Sequence, residues 1–389
     1  MLFRSPLSAI RSAWAELFVR PPGQLPALDG LRATAVLLVV CSHYTEEFGQ
    51  RVIPAVKASW FSRLPIFYWG WTGVDLFFVL SGFLIGRQIW RERFSTGTVN
   101  FPRFFLRRGF RIWPLYFAML LLFAFLGHPL ANRWDLLFLS NYFQGGFDRG
   151  WSLSTEEQFY ILVPLFVIAT AFFSRAREYS VTLGVFVVAV LFARRHATQV
   201  FVAQGFAGYK LTDALYTPFH LHCEPLIAGL AIALLSVSRP DWIKAQIAKG
   251  GLSRVGLSVF VACSVLGVGL RTFDKNVFPF TALGLIYGSL AFWLLLDASW
   301  VNRAASWRGF YPVSRLSYGM YLNHFYVAPG LTAWTITSLR ALGAPETIWF
   351  WTGLFVACAT SMAVAAVTFF AVERPFLRAR DAMIPGTHP

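Results

Sequence analysis

Residues 28–48 read LDGLRATAVLLVVCSHYTEEF, and this stretch decides how the whole chain is read. The ten residues between Arg32 and His43 carry no charge and are mostly aliphatic. Such a run is the body of a helix that buries its length and keeps its polar groups near its ends. The pattern recurs. With 31–48 as the first, further apolar segments centre on 66–90, 108–127, 153–173, 181–193, 217–237, 254–270, 277–297, 315–338 and 348–371, the fifth being short. The 389 residues are 56% hydrophobic and 14% charged, with a mean hydropathy of +0.55. Soluble chains average roughly 25% charged residues. The reading is therefore all-α: a polytopic integral membrane helical bundle of about ten transmembrane helices, which excludes a soluble two-domain enzyme.

Charge then gives orientation. Lys and Arg number 34 against 19 Asp and Glu, an excess that nucleic-acid binding would use. The basic residues fall instead in short clusters between apolar segments, and no nucleic-acid partner is expected. With the amino terminus placed in the cytoplasm, most of them collect on the cytoplasmic side, among them Arg87, Arg91, Arg93, Arg103, Arg107, Arg108, Arg111, Arg303, Arg308, Arg315, Arg374 and Arg378. That follows the positive-inside rule and puts both termini in the cytoplasm. The partner it implies is the lipid bilayer.

Residues 1–22 form an amphipathic cytoplasmic segment, with Phe3, Leu7, Ile10, Trp14 and Leu17 on one helical stripe and Arg4 and Arg11 off it. They lack the continuous apolar run of a cleaved signal. A single membrane domain then covers 23–376, and 377–389 form a cytoplasmic tail. Cys41, Cys223, Cys263 and Cys358 all lie in apolar runs and read as packed thiols, and no metal is expected.

Ionisable groups inside spans cost roughly 2.5–3.5 kcal/mol on insertion scales, so they mark candidate chemistry. Eleven residues separate Arg32 from His43, which places both on one helical face about 16 Å apart. Glu46 and Glu47 follow His43 at i+3 and i+4. A carboxylate one turn from an imidazole fits a general base; a satisfied histidine at a helix end fits as well. Asp75, in GVDLFFVLSGFLI (73–85), needs a partner or water, and Ser81 and Gly82 read as close helix packing. In FPRFFLRRGFRIWPLYF (101–117), Arg108 and Arg111 project together and read either as a phosphate grip or as membrane anchoring.

In WSLSTEEQFYILVPL (151–165), Ser152 or Ser154 would cap a helix whose first turns hold Glu156 and Glu157, with Tyr160 on the face of Glu156. HLHCEP (220–225) opens the sixth span with His220, His222 and Glu224; its two histidines diverge by about 200° on a helix, which argues against joint metal ligation. SYGMYLNHF (317–325) holds Asn323 and His324, and in VERPF (372–376) Glu373 and Arg374 are expected to pair. No glycine-rich phosphate loop, nucleophile elbow or HExxH is present.

Taken in order, LDGLRATAVLLVVCSHY, GVDLFFVLSGFLIG, FLRRGFRIWPLYF, WSLSTEEQFYILVP, SYGMYLNHF and VERP resemble the membrane-bound acyltransferase-3 family over nearly the whole chain. The resemblance implies acyl transfer, commonly of acetyl, from cytoplasmic acyl-CoA to a hydroxyl of a carbohydrate or glycan acceptor, in a bacterial inner membrane. It puts the family's Arg-x10-His element on Arg32 and His43, Arg-x-x-Arg on Arg108 and Arg111, the acidic residue of Trp-Ser-Leu-x-x-Glu on Glu156, and Tyr-Leu-x-His on Tyr321 and His324. The catalytic set is then His43, Glu156, Glu47 and Arg32, with Arg108 and Arg111 binding acyl-CoA and Asp75, Tyr160, Glu224 and His324 binding substrate. Cys223-Glu224-Pro225-Leu226 departs from the family's usual sixth span. With no hydrolase-like domain after VERP, an acceptor handled by the membrane domain itself is expected. A solute or lipid-linked glycan transporter is the alternative, since polar residues within spans also line permeation paths.

Overall fold

In the computed structural model, residues 15–21, 25–49, 53–125, 132–143, 145–146 and 150–384 are described, with the side chain of Glu47 excepted. Of the amphipathic segment, residues 1–14 and Pro22 lie outside these; within it Ala15–Phe18 are helical and Leu17 is buried.

Every apolar segment becomes a helix. In chain order they are α1 (Pro26–His43), α2 (Gly73–Thr96), α3 (Phe101–Phe125), α4 (Trp151–Ala169), α5 (Ala176–Ala203), α6 (Glu224–Ser238), α7 (Arg254–Phe273), α8 (Pro279–Leu296), α9 (Phe310–Ala341) and α10 (Glu346–Thr368), with a terminal α11 (Arg374–Met383). Among the described residues there is no strand beyond one isolated bridge between Gly251 and Ala298. Among the described residues six helices are long and apolar enough to cross a membrane, those containing α2, α3, α5, α7, α8 and α10; a seventh results if α6 and the helix Pro240–Ala248, bent by 88°, count as one span. Pro240 supplies the break, since it lacks the N–H that would continue the ladder. The helices outside the six are α1, α4, α6 and α9, which carry Arg32, His43, Glu156, Tyr160, Glu224 and His324. Of these four, α6 falls short by length, having 15 residues.

The chain divides into two compact units, one of residues 1–74, 107–119 and 304–389, the other of 75–106 and 120–303. In the first, α9 and α10 pack along their lengths and α1 lies against α9. Cys41, Tyr44, Phe48, Phe67, Ile336, Phe350 and Ala357 form a buried cluster there, and Tyr44 donates its phenol to the Phe350 carbonyl at 2.7 Å.

In the second unit, α6 packs on α2 and α8, and α7 pairs with α8. Trp90 donates its indole N–H to the Leu230 carbonyl at 3.1 Å. Outward on α5 and α7 stand Val181, Val185, Phe192, Val261, Val265 and Val268, the dress of a lipid-facing surface. The close packing expected at Gly82 is present: a Cβ there would sit 2.1 Å from the Leu226 carbonyl oxygen, and one at Gly229 2.0 Å from that of Val79. Gly184 on α5 has nothing within 4 Å of such a Cβ. Gly82→Ala is therefore expected to lower the melting point in detergent, by about 1–3 kcal/mol of stability, and Gly184→Ala to leave it unchanged or raise it.

Three local expectations are corrected. The fifth span is not short: α5 has 28 residues and carries Arg194 inside it, where the sequence reading ended the helix at that charge. Arg194 is tolerated because it is fully paired, as described below. Neither Ser152 nor Ser154 caps α4, which starts at Trp151 after Gly150; Ser154 is buried and bonds Ser140 Oγ at 2.8 Å. The sixth span begins only at Glu224, so His220 and His222 lie in the turn before it.

Candidate active site

α1 ends at His43, and the chain runs directly into a π-helical turn over Tyr44–Phe48. Such turns insert one residue into the helical ladder and recur at functional positions. His43 is half-buried at this junction, and its Nδ1 lies 2.6 Å from Nε2 of the buried His324 of α9. The two rings are within 5° of coplanar with centroids 4.9 Å apart. That spacing fits an in-line N–H···N bond between ring edges. Phe325 closes the side of His43 edge-on at 5.8 Å.

Tautomers follow from the partners. Nδ1 of His324 lies against two carbonyls, Met320 O at 3.0 Å and Tyr321 O at 2.9 Å, which can only accept, so it carries a proton. In the neutral pair Nε2 of His324 is then the acceptor, Nδ1 of His43 the donor, and Nε2 of His43 keeps its lone pair. A histidine held this way is set to accept a proton at Nε2 and to share the resulting charge.

The same unit holds the basic residues. Arg32 stands half-buried on α1, about 16 Å along the helix from His43. Arg108 is half-buried and Arg111 exposed on α3. Tyr318 of α9 donates to the Ile112 carbonyl at 2.8 Å, which pins the Arg111 turn beside α9 six residues before His324, about 9 Å along its axis. Arg107 donates to the Ile384 carbonyl at 3.3 Å. Arg20 binds Asp29 at 2.6 Å, and Asp29 also accepts from Ser314 at 3.0 Å.

The expected Glu373–Arg374 pair is not formed. Arg374 grips Glu16 through Nε at 2.8 Å and Nη2 at 2.7 Å, Arg378 adds a bond at 2.9 Å, and Glu373 turns inward and is buried. Adjacent residues on a helix diverge by about 100°, so one of two neighbouring charges faces in while the other faces out. The Arg374 hydrogen bond holds the Glu16 carboxyl below the usual carboxylate range. A depressed carboxylate stabilises at neutral pH, and that contribution is lost as pH falls through its folded value. Limited proteolysis should therefore find the segment around Glu16 protected at neutral pH and exposed on acidification, and exposed already at neutral pH in Glu16→Gln.

The remaining candidates belong to the second unit. Asp75 lies 2.7 Å from His222 Nε2 and accepts from Tyr216 at 3.2 Å, while His222 Nδ1 donates to the Tyr216 carbonyl at 2.8 Å. Glu224 forms an ion pair with Arg194 and accepts from Thr281 at 2.6 Å; Arg194 also donates to the carbonyls of Leu221 at 2.7 Å and Val277 at 2.6 Å. Asp75 and Glu224 thus complete buried networks that hold helices together. Tyr160 bonds Ser81 at 3.1 Å, and Glu156 is half-buried one turn earlier on α4.

Of the carboxylates near His43, Glu46 pairs with Lys57, and the side chain of Glu47 lies outside the described residues. The structure brings Arg32, His43, His324, Arg108 and Arg111 into one unit, and Asp75, Glu156, Tyr160 and Glu224 into the other. Arg194 and the direct bond from His43 to His324 were missed from sequence. Among the described residues no group of three or more His, Cys, Asp or Glu is placed to hold a metal, and the four cysteines are unbridged.

The chain is similar to known proteins across this architecture. The peptidoglycan O-acetyltransferase OatA of Listeria monocytogenes is 24% identical over 388 residues, covering 90% of this chain and 55% of the relative. The putative peptidoglycan O-acetyltransferase YrhL of Bacillus subtilis is 25% identical over 386 residues, covering 90% and 54%. The O-acetyltransferase OatA of Staphylococcus aureus is 28% identical over 193 residues, covering 44% and 29%. The chain therefore spans about half the length, or less, of these curated relatives. No solved structure matches. The acyltransferase-domain model matches residues 25–369, which include both histidines with Arg32, Arg107, Arg108 and Arg111, and the chain belongs to this acyltransferase-3 family.

Proposed function

We propose that this chain is a membrane O-acetyltransferase that moves an acetyl group from acyl-CoA to a hydroxyl of a cell-wall glycan, peptidoglycan being the acceptor that the relatives' names suggest. The observation that supports this reading is the His43–His324 pair, in which the carbonyls on His324 Nδ1 set His43 Nδ1 as the donor to His324 Nε2. In the proposed step His43 Nε2 removes the acceptor's hydroxyl proton as its oxygen attacks the thioester carbonyl. The C–S bond then breaks, and the departing thiolate takes the proton from the imidazolium.

Arg108 and Arg111 are assigned to the donor's phosphates, which guanidiniums bind in a fork. Arg32, at the far end of α1 from His43, is placed along the donor's path. Glu47 is assigned to the support of the imidazolium by chain proximity, and Glu156 keeps the catalytic role that the family motif gives it. Tyr160 is assigned to the acceptor. Asp75 and Glu224 are better read as the frame of their unit, given their buried partners. The excess of basic residues on one side of the spans supports an inner-membrane protein with both termini in the cytoplasm, where acyl-CoA is made.

The test is direct. Purified chain in liposomes, given radiolabelled acetyl-CoA and a muro-oligosaccharide, is expected to yield a base-labile acetyl ester on the sugar. Absence of label on sugar, with coenzyme A release no faster than in empty liposomes, contradicts the reading.

A further inference from the structure

Glu373 closes a second π-helical turn, Phe369–Glu373, at the end of α10. It is only 7% exposed, and its Oε1 is buried without a hydrogen-bond partner. Two positive charges act on it, Arg111 of α3 and Arg315 of α9. Arg315 lies over the Phe369 ring at 4.9 Å, and its Nε is likewise buried without a hydrogen-bond partner. The helices that carry the three are locked together. Tyr318, one turn after Arg315, bonds the residue after Arg111 at 2.8 Å. At Gly319 an added Cβ would lie 3.0 Å from Ala365 Cβ and 3.4 Å from Thr368 Oγ1 of α10.

A buried guanidinium N–H and a buried carboxylate oxygen are each costly to leave open, and native proteins seldom do so without a use. Membrane anchoring does not account for Arg315, because an anchoring arginine turns its donors to headgroups and water, whereas this Nε is enclosed.

We infer that Arg315 is a further phosphate-binding arginine beside Arg108 and Arg111, and that Glu373 is the counter-charge that sets how tightly the cluster holds an anion. The inference rests on the donor reading above and names new residues for it. An incoming phosphate takes the open Nε donor of Arg315 and the charge of Arg111. Glu373 neutralises the pair while the site is empty and opposes the anion when it arrives. Removing the arginine and removing the carboxylate must therefore change affinity in opposite directions.

The experiment measures equilibrium binding of coenzyme A and of inorganic pyrophosphate to the full chain in detergent, with the melting point recorded for every variant. Arg315→Gln is expected to weaken coenzyme A binding by about tenfold or more, the scale of a charge-assisted hydrogen bond. Glu373→Gln is expected to tighten it by roughly three- to tenfold through loss of the opposing charge. Arg315→Lys, which keeps the charge and loses the planar fork, should fall between wild type and Arg315→Gln, and it serves if the glutamine variant does not fold.

Affinities within about twofold of wild type, or shifts in the same direction for both charge removals, overturn the inference and leave the acetyltransferase reading standing. A wild type that binds neither probe removes the coenzyme A donor itself, and this assignment with it. A lipid headgroup offers the same phosphate chemistry, so binding is repeated in nanodiscs with and without phosphatidylglycerol. If the substitutions alter only the competition by that lipid and leave coenzyme A binding in detergent unchanged, the site belongs to a headgroup and the donor assignment is overturned.

Discussion

His43→Ala is expected to lower the rate of acetyl transfer at saturating donor and acceptor by about a thousandfold or more, with coenzyme A binding retained. A positioned general base contributes roughly 10²–10⁴-fold. Among the described residues the imidazole bonded to His43 is His324, whose Nδ1 is committed to the carbonyls of Met320 and Tyr321 and whose Nε2 points at His43. Glu46 is engaged by Lys57. The measurement is a single-turnover assay of label reaching the glycan, paired with equilibrium binding of coenzyme A to the same preparation. A His43→Ala protein that transfers acetyl at the wild-type rate would remove His43 from the chemistry. One that folds but no longer binds coenzyme A would place it in donor binding.

The second large effect concerns the frame of the other unit. Arg194→Ala is expected to destabilise the protein by about 3–5 kcal/mol, the cost typical of leaving one member of a buried ion pair uncompensated. Arg194 is fully buried and Glu224 is 3% exposed, so no water shell can replace the lost partner. The guanidinium also joins α5 to the carbonyls of Leu221 and Val277, so its loss frees two further acceptors. Thermal unfolding in detergent, followed by tryptophan fluorescence, reads the change. The double replacement Arg194→Met with Glu224→Leu should recover much of the loss, since apolar residues of similar volume commonly substitute for a buried pair. A melting point for Arg194→Ala within a degree or two of wild type would mean that the pair carries no structural load.

Much of this was legible in the sequence, and the reasons are physical. Apolar runs located the major helices, because the signal is local and repeated over some twenty residues, while the ends of the fifth and sixth were misplaced. Gly82 read correctly as a packing site because a residue without a side chain has few other uses inside a helix. The errors came where one charge had its remedy far away. Arg194 looked like the end of a span, yet its partner Glu224 is 30 residues on and the Val277 carbonyl 83. Ser154 read as a cap because serine at an apparent helix start usually is one, whereas Ser140 claims it from a preceding turn.

The candidate site was half legible. His43 stood out as an ionisable group in an apolar helix, and the sequence offered Glu46, Glu47 or Glu156 as its supports. The partner found is His324, 281 residues away, and nothing local could have joined the two. Glu373 and Arg374 show the opposite failure. Neighbours in sequence looked like a pair, while helical geometry sends one to Glu16 and the other inward.

The central claim is that His324 holds His43 in the tautomer whose Nε2 can take the acceptor's proton, and one comparison tests it most directly. Acetyl transfer is measured at saturating substrates for wild type, His324→Gln and His324→Leu, each checked for folding. Leucine offers no acceptor to His43 Nδ1, so the rate should fall about a hundredfold or more, the order seen when a catalytic imidazole loses the partner that fixes its tautomer. Glutamine keeps an acceptor oxygen and should retain a measurable part of the rate. Wild-type transfer by His324→Leu would contradict the account.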